Sequence, residues 1–105
     1  MERRWGSRKN YEIEVILDQG GGESGLIQTR TRDISFNGAF IKLLRSDLKA
    51  NAYIDLQFWD RKAQHNPCIN VGAVVVYESN KGVGVLFNAY DERFRRYLRG
   101  FMGFS

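Results

Sequence analysis

Apolar and polar residues alternate with a period of two along most of this chain, and no other feature constrains its fold as strongly. The odd-numbered positions from Tyr11 to Leu17 are apolar, whereas Glu12 and Glu14 are charged. Side chains of a strand point alternately to opposite faces, so this pattern predicts a strand with one buried face. The same reasoning predicts six strands, at Tyr11–Leu17, Leu26–Asp33, Ala39–Leu44, Tyr53–Phe58, Ile69–Glu78 and Gly82–Phe87.

Six short strands within 105 residues favour a closed barrel, because closure removes the exposed edges of a sheet. The Asn37-Gly38 dipeptide tolerates positive φ angles and predicts a tight turn between the second and third strands. A hairpin is predicted across Ser79-Asn80-Lys81. The consecutive valines from Val74 to Val76 predict that the fifth strand is covered on both faces.

The periodicity changes near the end of the chain. Apolar residues recur there at helical spacing, at Phe94, Tyr97, Leu98, Phe101 and Met102. The sequence therefore predicts an all-β fold, a six-stranded antiparallel barrel over residues 11–87 with an amphipathic C-terminal α-helix over 88–103. We expect one domain over residues 1–105, in which residues 1–10 form a mobile arm.

Composition excludes several classes of protein. A single cysteine, Cys68, cannot close an intrachain disulfide, and one cysteine with one histidine cannot build a zinc site from those ligands. No apolar run approaches the length of a transmembrane helix, and no apolar signal core follows the basic N-terminus. We therefore expect a cytoplasmic protein without a metal or cofactor.

Two further motifs are rejected. Residues 20–25 satisfy GxGxxG, but a predicted strand follows where a dinucleotide site requires a helix. His65 and Cys68 are close in sequence, yet a catalytic cysteine also requires a positioned base and a third group that orients it. No other catalytic motif is present, so we do not expect an enzyme.

The positive charge lies at the two ends of the chain. The formal net charge is +4, made up of +3 in residues 1–9, −1 in residues 10–90 and +2 in residues 91–105. We interpret the arginines of the C-terminal segment as the solvated face of the helix. The N-terminal charge includes the RxxxR spacing of Arg4 and Arg8, preceded by Arg3. Guanidinium groups match phosphate oxygens and the O6/N7 edge of guanine.

The second candidate element is the segment from Asp33 to Gly38. Turn formation alone accounts for its composition. A functional interpretation uses the same residues: Asp33 would accept from the N1–H and N2–H₂ donors of a guanine, Ser35 would make a polar contact, and Gly38 would give clearance. Each element taken singly favours the structural interpretation.

Together, the two elements resemble the signature of the PilZ domain family, receptors for the bacterial messenger cyclic di-GMP. That signature is RxxxR ahead of a barrel, matched here by Arg4 and Arg8, followed by (D/N)xSxxG, matched by Asp33, Ser35 and Gly38. The segments 71–75 and 82–87 also look like later barrel strands of the family. The resemblance implies a PilZ-type barrel that binds cyclic di-GMP. The residues implied as ligand-binding are Arg3, Arg4, Arg8, Asp33, Ser35 and Gly38.

The resemblance also implies a mechanism. An arginine directly before RxxxR accompanies binding of two stacked ligands in this family, so Arg3 predicts two molecules per chain. Ligand would order the arm, with Trp5 as a stacking residue or as part of the barrel packing. The ordered arm would signal to a partner protein in trans, in processes such as motility and biofilm formation.

Two alternatives stay open from the sequence. The first is a basic barrel that binds single-stranded nucleic acid, which requires exposed aromatic residues on a strand face. We expect the aromatic residues of the strands, Tyr53, Phe58, Tyr77 and Phe87, to lie mostly in the core, which disfavours it. The second is a PilZ-like barrel that acts only as a protein adaptor, which the intact motifs disfavour.

Overall fold

The computed structural model describes residues 11–20, 25–43, 48–60, 65, 67–89 and 92–102. Within those residues the chain forms β1 (Glu14–Asp18), β2 (Leu26–Ile34), β3 (Gly38–Lys42), β4 (Tyr53–Trp59), β5 (Cys68–Ser79), β6 (Gly82–Ala89) and α1 (Glu92–Met102). The kinds of elements predicted from periodicity, and their order, are confirmed.

The strands close into a barrel in the order β1-β2-β3-β6-β5-β4, and every neighbouring pair is antiparallel. Leu17 of β1 lies opposite Ile27 of β2 on one side and Leu56 of β4 on the other. β1 is thereby paired along both edges. The predicted six-stranded antiparallel barrel with a C-terminal helix is confirmed.

The helix shares the hydrophobic core of the barrel. Phe94 and Leu98 are fully buried and belong to the same cluster as the inward residues of the strands. The Phe94 ring lies 5.4 Å from the ring of Phe58 on β4, and 5.0 Å from that of Phe87 on β6 in an edge-to-face arrangement. Because Arg95 on the other face is exposed, α1 has the amphipathic character that its sequence predicts.

Some predicted boundaries and environments are wrong. β1 begins at Glu14 and not at Tyr11, because the Thr31 hydroxyl takes the place of ladder hydrogen bonds at Tyr11 and Ile13. β3 ends at Lys42, ahead of the predicted Leu44. Val75 is fully buried, but Val76 is exposed, so β5 is not covered on both faces at this point. The register shifts between Val75 and Tyr77, where an irregularity interrupts the alternation.

The prediction that the strand aromatics lie in the core is right for Phe58 and Phe87 and wrong for the two tyrosines. Tyr53 is 56% exposed and Tyr77 is 45% exposed. Each tyrosine lies over a glycine of the next strand: a Cβ built on Gly72 would overlap Tyr53, and one built on Gly84 would overlap Tyr77. The rings occupy space that a missing side chain leaves on the outer wall, so they lie outside the core.

Two hairpins form where they are predicted, with one difference. Ser79 pairs with Gly82, and the Lys81 amide donates to the Ser79 hydroxyl at 3.1 Å across the two-residue loop. The turn between β2 and β3 is also confirmed, but neither Asn37 nor Gly38 has a positive φ. Gly25 leads directly into β2, which supports rejecting the dinucleotide motif at residues 20–25.

Two further properties concern only the part of the chain that is described. No helix there is long and apolar enough to cross a membrane. No group of three or more His, Cys, Asp or Glu side chains there is arranged to hold a metal ion.

Replacing Phe94 by alanine tests the packing of α1 on the barrel. We expect Phe94→Ala to lower the free energy of unfolding by about 3–5 kcal/mol, because it leaves a cavity between Phe58 and Phe87. Urea denaturation measures the change, and Arg96→Ala on the exposed face of α1 is the control, with an expected change below about 0.5 kcal/mol. A loss below about 1 kcal/mol for Phe94→Ala would show that the helix does not depend on this contact.

Candidate functional site

A β-bulge in β2 sets the direction of Asp33. Thr31 lies opposite Ile41 of β3, but Asp33 lies opposite Phe40, the next residue along, so the register shifts by one position at Arg32. Thr31 and Ile41 are fully buried. Simple alternation would place Asp33 on the same inner face as Thr31. The bulge instead pairs it with Phe40, which lies outside the core cluster, and so turns Asp33 to the outer wall.

The residues opposite and beside Asp33 form one row across the outer wall. Phe40 lies opposite Gly84 of β6, and Gly84 lies opposite Tyr77 of β5. The rings of Phe40 and Tyr77 are 6.0 Å apart, over the position that Gly84 leaves empty of a side chain. A carboxylate and two aromatic rings are therefore brought together from strands that are distant in sequence.

Arg32 lies over this row and contacts its first two members, Asp33 and Phe40. Its Nε donates to Oδ2 of Asp33 at 3.0 Å, and its guanidinium carbon lies 3.9 Å from the centre of the Phe40 ring. The Arg32 side chain is half exposed, whereas that of Asp33 is almost completely buried. A guanidinium above an aromatic face and beside a carboxylate is stabilised by both contacts.

Sequence reasoning missed Arg32, Phe40 and Tyr77 as parts of the candidate site. Adjacent residues of a regular strand point to opposite faces, so the Arg32-Asp33 dipeptide predicts no contact between their side chains. The bulge brings the two side chains together, and no residue pattern in β2 predicts the bulge. The pairing of Phe40 with Tyr77 depends on the order of strands in the barrel.

Ser35 holds the turn that follows Asp33. Its hydroxyl accepts from the amides of Asn37 and Gly38 at 3.2 and 3.3 Å, and its own amide donates to the Gly38 carbonyl at 2.8 Å. The hydroxyl is buried by this arrangement. The structure therefore gives Ser35 a defined role in the turn, and its predicted contact with ligand stays a prediction.

Gly38 is required by the barrel itself. A Cβ built on Gly38 would overlap the carbonyl oxygen of Val85 on β6. The close approach is between two strands, so packing explains the glycine whether or not ligand passes there. The predicted clearance for ligand stays a prediction.

Two sets of residues remain, the arginines predicted in the arm and the rejected pair of His65 and Cys68. Arg3, Arg4 and Arg8, together with Trp5, lie outside the described residues. His65 is exposed, and the Cys68 thiol lies 3.8 Å from Oδ1 of Asn70, with no hydrogen bond joining His65 and Cys68. No nucleophile and base are paired at this point of the described chain.

Comparison with known proteins identifies the family to which this barrel belongs. The sequence model of the PilZ domain family matches residues 2–104, so the chain is a member of the PilZ family. No curated protein sequence matches it. PilZ domains are regulatory domains and are in general not catalytic.

Solved structures show the same fold. The chain matches the Bacillus subtilis inhibitor of motility, MotI/DgrA, with a TM-score of 0.72 and 17% identity, over 99% of this chain and 54% of that one. It therefore spans about half the length of that neighbour. It also matches the PilZ domain of CeSA from a cellulose-synthesizing bacterium, with a TM-score of 0.67 and 15% identity, over 92% of this chain and 96% of that one.

Gly38→Ala tests the strand contact, with Gly100→Ala as its matched control. We expect Gly38→Ala to lower the free energy of unfolding by about 1–3 kcal/mol, because the added methyl group forces β3 away from Val85. Gly100 has nothing within 4 Å of a built Cβ and lies in α1, so Gly100→Ala should raise stability by up to about 1 kcal/mol. Equal effects in thermal denaturation would contradict the strand contact at Gly38.

Proposed function

We propose that this chain is a receptor for cyclic di-GMP that acts as a switch and not as an enzyme. The observation that carries the proposal is the carboxylate of Asp33, which the bulge turns to the outer wall at the motif spacing of Asp33, Ser35 and Gly38. Membership of the PilZ family supports a receptor role. The proposal places the protein in the cytoplasm.

The ligand's chemistry matches the residues assigned to it. Cyclic di-GMP carries two guanines and two phosphates, and Arg4 and Arg8 supply planar donors for phosphate oxygens and guanine edges. Asp33 accepts from the N1–H and N2–H₂ groups of a guanine. A carboxylate has about four acceptor positions, so the contact with Arg32 does not exhaust those of Asp33. Arg32, over the Phe40 ring, adds a further positive charge to this wall.

Signalling follows from ordering of the arm. Ligand held between the arm and Asp33 would fix residues 1–10 on the barrel, and the new surface would engage a partner protein in trans. The MotI/DgrA neighbour is described as an inhibitor of motility, which makes motility the first process to examine for this chain.

A second candidate function is binding of single-stranded nucleic acid, and the exposed tyrosines are the observation that favours it. Tyr53 and Tyr77 lie on the outer wall, where stacking with bases would be feasible. Two observations count against this function: one face of each ring packs on a glycine of the barrel, and residues 10–90 carry a net charge of −1. Competition of an oligonucleotide against cyclic di-GMP separates the two functions.

Alanine substitutions of the assigned residues test the ligand site. We expect Arg4→Ala, Arg8→Ala and Asp33→Ala each to weaken cyclic di-GMP binding more than tenfold in titration calorimetry. Each removes a charge-assisted contact worth about 1.5–3 kcal/mol.

The controls for this experiment match the charge that is removed. Arg96→Ala removes one positive charge from the exposed face of α1, and Asp55→Ala removes one negative charge from the exposed side of β4. Both should leave the affinity within about twofold of the wild type, since exposed charges far from a ligand are screened. Unchanged affinity in all three site variants, in chains that remain folded, would refute the assignment.

Arg3 gives a separate prediction on stoichiometry. We propose that two stacked molecules of cyclic di-GMP bind each chain, with Arg3 offsetting part of their added negative charge. Calorimetry should then saturate at two ligands per chain, and Arg3→Ala should lower that number or weaken the second binding event. Saturation of the wild-type chain at one ligand would refute the proposal.

A further inference from the structure

Residues Tyr11, Glu12 and Ile13, which we call the arm root, lead from the predicted arm into β1. They lie outside any strand, yet Thr31 of β2 hydrogen-bonds to two of them, and the side chains of Tyr11 and Ile13 pack against the core. The Thr31 hydroxyl donates to the Tyr11 carbonyl at 2.6 Å and accepts from the Ile13 amide at 3.1 Å. The Thr31 amide donates to the Ile13 carbonyl at 3.0 Å. A single threonine therefore fastens both ends of the arm root.

A second set of contacts holds the middle of the arm root from the outside of the barrel. Nη1 of Arg30 donates to the Glu12 carbonyl at 3.3 Å, and Nζ of Lys42 pairs with the Glu12 carboxylate. The hydrogen bond and charge of Lys42 hold the pKa of Glu12 below its ordinary value, which favours the carboxylate form of Glu12. These groups are exposed, so the pair adds less than the buried contacts of Thr31.

Thr31, which holds the arm root, lies close in sequence to Asp33 on the outer wall. Thr31 is fully buried and is the last residue of β2 before the bulge that turns Asp33 outward. Arg8 precedes Tyr11 by three residues, so their Cα atoms are at most about 11 Å apart. The arm root is thereby attached at Thr31, two residues before Asp33, whose carboxylate the proposed ligand requires.

We propose that Thr31 is a positioning residue for the ligand site, which it serves by fastening the arm root to β2 two residues before Asp33. The proposal rests on the cyclic di-GMP receptor function above. Only molecules whose arm departs from the correct point can hold one ligand between Arg8 and Asp33. Since the apparent dissociation constant is the intrinsic one divided by the competent fraction, release of the arm root weakens binding without removing any ligand contact.

Thr31→Val and Thr31→Ser form the test, since valine has the shape of threonine without the hydroxyl and serine keeps the hydroxyl. In the full chain without ligand, Thr31→Val should speed hydrogen exchange of the Ile13 amide at least about tenfold, because that amide loses its acceptor. It should also weaken cyclic di-GMP binding by about fivefold or more. Thr31→Ser should stay within about twofold of the wild type in both measurements.

The same substitution in an Arg8→Ala background separates positioning from general damage. If Thr31 acts through the arm, Thr31→Val should cause a clearly smaller further loss of affinity in the Arg8→Ala chain than in the wild type, because only Arg3 and Arg4 of the arm then remain to contact ligand. A purely structural role would weaken binding equally in both backgrounds, and that result would overturn the proposal. Unchanged affinity of a folded Thr31→Val chain that has Arg8 would overturn it as well.

An exposed variant keeps the test decisive if Thr31→Val does not fold. Glu12→Ala removes the pair with Lys42 and should weaken binding about twofold, although loss of a negative charge by itself favours an anionic ligand. Asp55→Ala, which removes the same charge far from the arm root, should not weaken it. Equal or tighter binding by Glu12→Ala would overturn the proposal. If the wild-type chain fails to bind cyclic di-GMP, the receptor function itself fails, and exchange of the Ile13 amide separately decides whether Thr31 fastens the arm root.

Discussion

β1 is hydrogen-bonded along both edges, to β2 and to β4, and the rest of the structure depends on that closure. A sheet of six strands with open edges would leave backbone groups unpaired and would have no enclosed interior. Closure gives the inward residues of all six strands a common core, into which α1 inserts Phe94 and Leu98. Closure also gives every strand an outer wall, and the candidate site lies on that wall instead of in a cavity.

The irregularity between β2 and β3 produces the site. The bulge at Arg32 keeps Thr31 inside and turns Asp33 outside, although simple alternation would place both residues on the same face. The inner residue fastens the arm root through its hydroxyl, and the outer one presents a carboxylate beside Arg32 and Phe40. The hydrogen bonds that hold the arm root and the carboxylate of the proposed ligand site therefore lie within three residues of β2.

The large apolar and aromatic residues show where prediction of the core from sequence succeeds and where it fails. Phe94 and Leu98 are correctly assigned to the core, because a stripe at helical spacing has one buried face whatever it packs against. Tyr53 and Tyr77 are incorrectly assigned to it. Alternation with the buried Ile54, Leu56 and Phe58 already places Tyr53 on the outer face, and the register shift between Val75 and Tyr77 turns Tyr77 outward in a way that alternation does not predict. Likewise, the composition of residues 33–38 predicts the turn, but the contact between Gly38 and Val85 depends on the position of β6.

Periodicity and spacing within short segments are enough to predict the order of strands and helix along the chain, the closed antiparallel barrel and the two motifs that indicate the PilZ family. Only the packing of the strands against one another sets the direction of Asp33, places Arg32 and Phe40 beside it, and brings Thr31 to the arm root. Each of these depends on the register between paired strands, and a shift of one residue exchanges the inner and outer faces. No pattern confined to one strand can record that register.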